Sequence, residues 1–169
     1  MNIDYIDAIV FDFDGVLTNN LVYLNQDGLE SVACSRSDGL AFDVLHKLNK
    51  PTFILSTEKN SVVKMRAKKL NIPLIQGVVD KVSAIKELAR ENKFLLKNIL
   101  YVGNDLNDYL VMSICGYTAC PIDSHPKIKE ISKFILDTKG GNGVVRELLE
   151  QVLNLDLIKI LYSNQGVKK

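Results

Sequence analysis

Apolar and polar positions along the chain alternate between short continuous apolar runs and longer segments with helical spacing. Ile6 to Phe13, Thr52 to Leu55, Pro73 to Gln76, Ile99 to Val102, Tyr117 to Ala119 and Phe134 to Leu136 are the short runs, and their length and continuity predict strands buried on both faces. Between them lie helical patterns. The first starts at Ser37-Asp38, carries Leu40, Val44, Leu45 and Leu48 on one face, and ends at Asn49-Lys50-Pro51, where proline stops it. Further helices are predicted over about 60–70, 81–92, 106–114, 127–132 and 143–153. Repeated strand–helix units need right-handed crossovers and a mainly parallel sheet. The predicted fold class is therefore α/β: a three-layer, doubly wound domain over residues 1–162, followed by a flexible C-terminal tail at 163–169. One segment breaks the alternation. Leu21 to Leu24 and Glu30 to Cys34 flank Asn25-Gln26-Asp27-Gly28, turn chemistry between two β-prone runs, and predict a protruding hairpin over about 21–34.

Composition narrows the function classes more than it selects one. With 21 Lys and Arg against 20 Asp and Glu the overall field is near neutral, so neither nucleic acid nor a membrane surface is an expected partner. No apolar run approaches the length of a membrane span, and Met1-Asn2-Ile3-Asp4 lacks the basic start of a signal peptide, which makes the cytoplasm the expected location. Cys34, Cys115 and Cys120 form no CxxC pair, so structural thiols are expected. His46 and His125 are too few for a histidine-rich metal site.

Chemistry collects where the strands end. Asp12 and Asp14 close the first apolar run and share a face while the chain is extended, so they aim two carboxylates at one spot. A hard cation such as Mg²⁺ relieves that repulsion, and a surface turn with Asx-type bonds is the alternative. Ser56, Thr57 and Glu58 end the second predicted parallel strand ahead of a helix, which suits either a phosphate seat or simple N-capping. Lys81 opens a helix against the macrodipole, a placement that favours a positional purpose, with a solvated surface role as the alternative. Gly103-Asn104-Asp105-Leu106-Asn107-Asp108 ends a further strand with several oxygen donors, of which Asn104, Asp105 and Asp108 are candidate metal ligands or helix caps. Together the four clusters supply what phosphoryl transfer needs: a nucleophile, a phosphate seat, a cation and metal ligands.

These residues resemble the four motifs of the haloacid dehalogenase superfamily of phosphatases, with Asp12-Phe13-Asp14-Gly15-Val16-Leu17-Thr18 as the first, Ser56 as the second, Lys81 as the third and Gly103 to Asp108 as the fourth. The resemblance implies a Mg²⁺-dependent phosphomonoesterase in which Asp12 becomes an aspartyl phosphate, Asp14 is the general acid and base, and Ser56 and Lys81 hold phosphoryl oxygens. It also implies metal ligation by Asp12, Asp14, Asn104, Asp105 and Asp108. Asn104 stands where the family generally has an acid, so weaker metal affinity is expected. The stretches Gly15 to Asp38 and Thr57 to Lys81 are too short for an inserted cap with its own core.

Within the superfamily the chain resembles the capless phosphatases of 3-deoxy-octulosonate 8-phosphate and of nonulosonate 9-phosphates, a group that includes the phosphatase-like domain of some acylneuraminate cytidylyltransferases. Ser37-Asp38-Gly39, Gln76 to Lys81 and Gly140-Gly141-Asn142-Gly143-Val144-Val145-Arg146-Glu147 carry this closer likeness. It implies a homotetramer whose subunits cover one another's sites and a small sugar-acid phosphate as substrate. Ser56-Thr57-Glu58-Lys59-Asn60 with Arg66 and Lys69 is similar to the nonulosonate branch, which makes a neuraminate or deaminoneuraminate 9-phosphate the first expectation. Octulosonate 8-phosphate is the second, and an inactive oligomerisation module is the alternative of another class. Thr57, Glu58, Arg66, Lys69 and Arg146 are the expected substrate-binding residues, and Arg66 and Lys69 could equally form a solvated basic helix face.

Overall fold

The computed structural model describes residues 1–163. The strands and helices run in chain order as β1 (Ala8–Phe11), β2 (Tyr23–Leu24), β3 (Glu30–Ser31), α1 (Ser37–Lys47), β4 (Thr52–Ser56), α2 (Ser61–Leu70), β5 (Leu74–Gln76), α3 (Lys81–Asn92), β6 (Ile99–Val102), α4 (Tyr109–Ile114), β7 (Tyr117–Cys120), α5 (Pro126–Ile131), β8 (Phe134–Ile135), α6 (Val144–Glu147) and α7 (Leu157–Tyr162). Six strands form one parallel sheet in the order β5-β4-β1-β6-β7-β8, while β2 and β3 pair antiparallel as a separate hairpin. The predicted α/β class holds. β1 lies at the switch point, with the chain wound outward to β4 and β5 on one side and to β6, β7 and β8 on the other, which leaves a crevice at its carboxyl end.

Alternation along each strand divides the core between the two faces. Ile9, Phe11, Ile54, Leu100 and Val102 face α1, α2 and α6, whereas Val10, Leu55, Ile99 and Tyr101 face α3, α4 and α5. Phe42 of α1 meets Phe11 edge to face with ring centroids 5.4 Å apart. Truncation of this fully buried ring is expected to cost about 3–5 kcal/mol. A urea titration of Phe42→Ala with an unchanged slope and a lowered midpoint checks it.

The structure departs from the sequence pattern at element ends. The first apolar run is a strand only over Ala8–Phe11, because the chain turns at Asp12 to build a loop. The hairpin is present, but its ladder is short, pairing Tyr23–Leu24 with Glu30–Ser31, and Cys34 bridges to Thr18 instead. The helix predicted over 106–114 begins as a 3₁₀ turn at Leu106–Asp108, where Asp105 and Asp108 make a reciprocal cap. The helix predicted over 143–153 is a short α-helix followed by a π turn at Leu148–Val152, and α7 lies beyond it, where the sequence pattern predicts no helix. Residues 164–169 of the expected tail lie outside the described residues. Among the described residues no helix is long and apolar enough to cross a membrane.

Candidate active site

The carboxyl ends of β4, β1 and β6 open on one rim, and a cavity of about 370 Å³ lies there. Asp12, Asp14, Thr57, Glu58, Asn104 and Asp105 line it. A larger hollow of about 530 Å³ lies beside α7, lined by residues such as Leu48, Leu155 and Ile160, and it has no paired carboxylates. Chemistry rather than size therefore marks the site.

Beneath the cavity sits a buried charge cluster. The Lys81 ammonium lies 3.0 Å from Asp12 Oδ1 and 2.6 Å from Asp108 Oδ1. Tyr101 donates its hydroxyl to the same Asp108 oxygen at 2.9 Å, and Asp108 Oδ2 accepts the Asn104 backbone N–H at 2.9 Å. Asp12 Oδ1 also accepts the Phe13 N–H at 2.8 Å. Burial pushes the Asp12 carboxyl up, the Asp108 charge adds to the push, and Lys81 opposes both. For Lys81 burial works downward, but the two carboxylates outweigh it and hold the ammonium above its ordinary value. Lys81 is thus a fixed positive charge at the floor of the site.

Asp14 lies at the edge rather than the floor. Its carboxyl is pushed up, chiefly by burial and then by the Glu58 charge, while the bond from Thr18 Oγ1 to Asp14 Oδ1 at 3.4 Å pulls it down. A raised carboxyl at a cavity wall suits proton donation and return. Gly15 follows with φ +77°, and a Cβ there would fall 1.9 Å from the Asn104 amide nitrogen. Only glycine permits this turn and this approach. Ser56 is buried where β4 ends, its hydroxyl accepting the Glu58 N–H at 3.1 Å.

Asn104 Oδ1 is buried and has no hydrogen-bond partner among the described residues. An orphaned amide oxygen lining a cavity beside two carboxylates fits a hard cation, which takes oxygen ligands of mixed charge. Asp105 is differently occupied, since its Oδ1 caps the 3₁₀ turn through the Leu106 N–H at 2.7 Å. Both oxygens of Asp108, a candidate metal ligand from sequence, are taken by Lys81, Tyr101 and backbone N–H groups, so that carboxylate holds the lysine and the loop. Among the described residues no three His, Cys, Asp or Glu side chains converge as a metal cluster. The donor set that fits an ion is a mixed one of Asp12, Asp14 and Asn104.

Three expected substrate residues lie elsewhere. Arg66 and Lys69 share a face, as their spacing predicts, but that face lines a separate hollow of about 310 Å³ with Arg36 and Asp43. Arg66 donates to the Ser35 carbonyl at 2.8 Å and Arg146 to the Ser37 carbonyl at 3.4 Å, so both guanidiniums are tied to the segment leading into α1.

The segment Gly140 to Glu147, which carries the likeness to the capless phosphatases, forms a strap behind the catalytic loop. The Gly141 N–H donates to the Val16 carbonyl at 3.0 Å, and the Gly140 N–H donates to Asp123 Oδ1 at 3.0 Å. A Cβ on Gly140 would lie 2.2 Å from the Gly15 carbonyl oxygen, and one on Gly141 would lie 2.5 Å from the Asn19 nitrogen. Farther along, buried Asp38 Oδ1 accepts the Val145 and Arg146 N–H groups at 2.9 and 3.3 Å, which pins the strap's exit. Burial pushes the Asp38 carboxyl up to about 6 against those two bonds. Gly140→Ala must displace the loop that carries Asp14. Because misplacement of about 1 Å can cost roughly 10²-fold, kcat is expected to fall at least tenfold with KM within about twofold. Steady-state kinetics beside a thermal melt checks this. Sequence reasoning missed Tyr101, since a tyrosine inside an apolar run looks like core.

Comparison with known proteins agrees with this geometry. Residues 46–148 match the model of the haloacid dehalogenase-like hydrolases. The chain is similar to the 3-deoxy-D-manno-octulosonate 8-phosphate phosphatase of Salmonella typhi, 31% identical over 149 residues that cover 88% of this chain and 79% of that protein. Among solved structures it is similar to the phosphatase of the same name from Moraxella catarrhalis, solved with magnesium, phosphate and KDO, with TM-score 0.85, 29% identity, and 90% and 88% of the two chains covered. The Yersinia pestis phosphatase also gives TM-score 0.85 at 29% identity, covering 90% of this chain and 83% of its own.

Proposed function

The chain belongs to the haloacid dehalogenase-like hydrolases, as a capless sugar-acid phosphatase, and from that premise we propose that it removes phosphate from a nine-carbon 3-deoxy-ulosonate 9-phosphate of the neuraminate or deaminoneuraminate type. The observation that carries the chemistry is Lys81 buried between Asp12 and Asp108, beside a half-buried Asp14 whose carboxyl is pushed up. Asp12 attacks phosphorus, the new bond from its carboxylate oxygen forming as the ester P–O bond breaks. Asp14 gives its proton to the departing sugar oxygen. In the second displacement Asp14 takes a proton from water, whose oxygen attacks phosphorus and frees phosphate and Asp12. Lys81 and the Ser56 hydroxyl hold phosphoryl oxygens through both steps. Asp12, the Asp14 main-chain carbonyl and Asn104 Oδ1 would hold Mg²⁺, which when bound neutralises charge on the nucleophile and the phosphoryl group.

Glu58 supports the nine-carbon reading. It lines both the catalytic cavity and the hollow next to it, so it can accept hydrogen bonds from hydroxyls beyond the phosphorylated carbon. The basic residues complete the account through assembly. Arg66, Lys69 and Arg146 would meet the sugar carboxylate at a neighbouring subunit's site, in a tetramer built on the hairpin. Leu21, Val22, Tyr23, Leu24 and Leu29 are each more than half exposed there, an apolar surface suited to burial between copies.

The eight-carbon octulosonate 8-phosphate is the second reading, favoured by the names of the relatives. Specificity constants for both sugar phosphates separate the two, measured on the natural chain and on Glu58→Gly combined with Lys59→Arg. The nine-carbon substrate is expected to lead and to lose its lead in the double variant. A constant ratio counts against the assignment. Light scattering checks the tetramer, and mixing Asp12→Asn subunits with Arg66→Met subunits is expected to restore part of the activity if sites are shared.

A further inference from the structure

A further hollow of about 230 Å³ lies between the hairpin and α2 and shares Asp14, Asn20 and Glu58 with the catalytic cavity. Its two sides differ in chemistry. Phe13, Val22, Val32, Val62 and Val63 give it an apolar wall, while Glu30, Glu58 and the Asn20 and Asn60 amides give it a polar one. Asn60 Nδ2 donates to Glu30 Oε2 at 2.6 Å, which ties the hairpin to the start of α2.

Charge decides what cannot enter. Among the described residues the lining holds Asp14, Glu30 and Glu58 and no Lys, Arg or His, so a phosphate or sugar carboxylate would be repelled. A purely hydroxylated arm would satisfy the carboxylates but leave the valine wall against water. A group with an N–H donor, a carbonyl acceptor and a short alkyl end matches every side. The N–H can donate to the Glu58 carboxylate, the carbonyl can accept from the Asn20 amide, and the alkyl end can lie on Val32 and Val62.

We propose that this hollow is the subsite for an N-acylamino substituent, so that the substrate is an acylated amino sugar acid and not its hydroxyl counterpart. The inference rests on the nine-carbon reading above. The test compares the 5-acetamido and 5-hydroxy forms of the nine-carbon ulosonate 9-phosphate, with octulosonate 8-phosphate as a third substrate. The natural chain is expected to favour the acetamido form by about tenfold in kcat/KM, the scale of one well-filled apolar contact. Val32→Thr and Val62→Thr keep the shape of the wall but make it polar, and each is expected to erode that ratio at least threefold. In the natural chain, nuclear Overhauser contacts are expected between the acetyl methyl of the bound dephosphorylated sugar and valine methyls.

Equal turnover of the two nine-carbon substrates overturns the subsite and leaves the nine-carbon reading standing. Turnover of the octulosonate alone overturns both. A preference that survives in valine variants with unchanged thermal melts, or the absence of the methyl contacts when the sugar is bound, also overturns the subsite.

Discussion

Asp12→Asn is expected to abolish phosphate release, lowering kcat by about 10⁴-fold or more, the scale on which loss of a covalent nucleophile acts. The folded protein should tolerate the change. The amide keeps an oxygen for the Phe13 N–H and for Lys81, and Lys81 retains Asp108 at 2.6 Å. Burial and the Asp108 charge both push the Asp12 carboxyl up, so neutralising this side chain removes a charge that the fold hosts at a cost. Its melting temperature is therefore expected to stay level or rise. Rapid quenching of the natural chain with labelled substrate should trap one phosphoryl group per subunit, and none in the variant. A natural chain that gave neither turnover nor label with Mg²⁺ would return the account to an inactive oligomerisation module.

Much of this site was legible before any coordinates, for a physical reason. Parallel strands buried on both faces make short apolar runs, and the residues just past their ends must lie on one rim. Asp12, Ser56, Lys81 and the loop from Gly103 to Asp108 could thus be gathered from spacing alone. The division of labour among the oxygens was not legible. Asn104, Asp105 and Asp108 look equivalent in sequence, and only the fold shows Asp105 capping a turn, Asp108 saturated by four donors, and Asn104 with an oxygen to spare. Helical spacing placed Arg66 and Lys69 side by side, but spacing fixes only which residues share a face and says nothing of what the face meets. What the glycine strap touches was out of reach for a similar reason. Gly140 and Gly141 matter through backbone contacts with a loop more than a hundred residues away, and no local pattern encodes that approach.

Lys81→Met tests the cluster under the site most severely. Methionine has a similar reach, so packing changes little, but Asp12 and Asp108 are left buried beside each other without their cation. Breaking a buried pair in this way is expected to cost about 3–5 kcal/mol of stability, with kcat falling about 10³-fold as Asp12 and the phosphoryl group lose their fixed counter-charge. The pH dependence has a definite sign. Two facing carboxylates cannot both ionise easily, so one holds its proton to a pH above its unfolded value near 3.9. The folded state then binds more protons than the unfolded state, and stability falls as pH rises through the raised range. Lys81→Met should accordingly melt higher at pH 5 than at pH 8. Adding Asp108→Asn removes one of the two charges and is expected to recover a large part of the lost stability without restoring turnover, because the missing ammonium serves the phosphoryl group as well as the fold. Recovery of turnover along with stability would mean that Lys81 only holds the structure together.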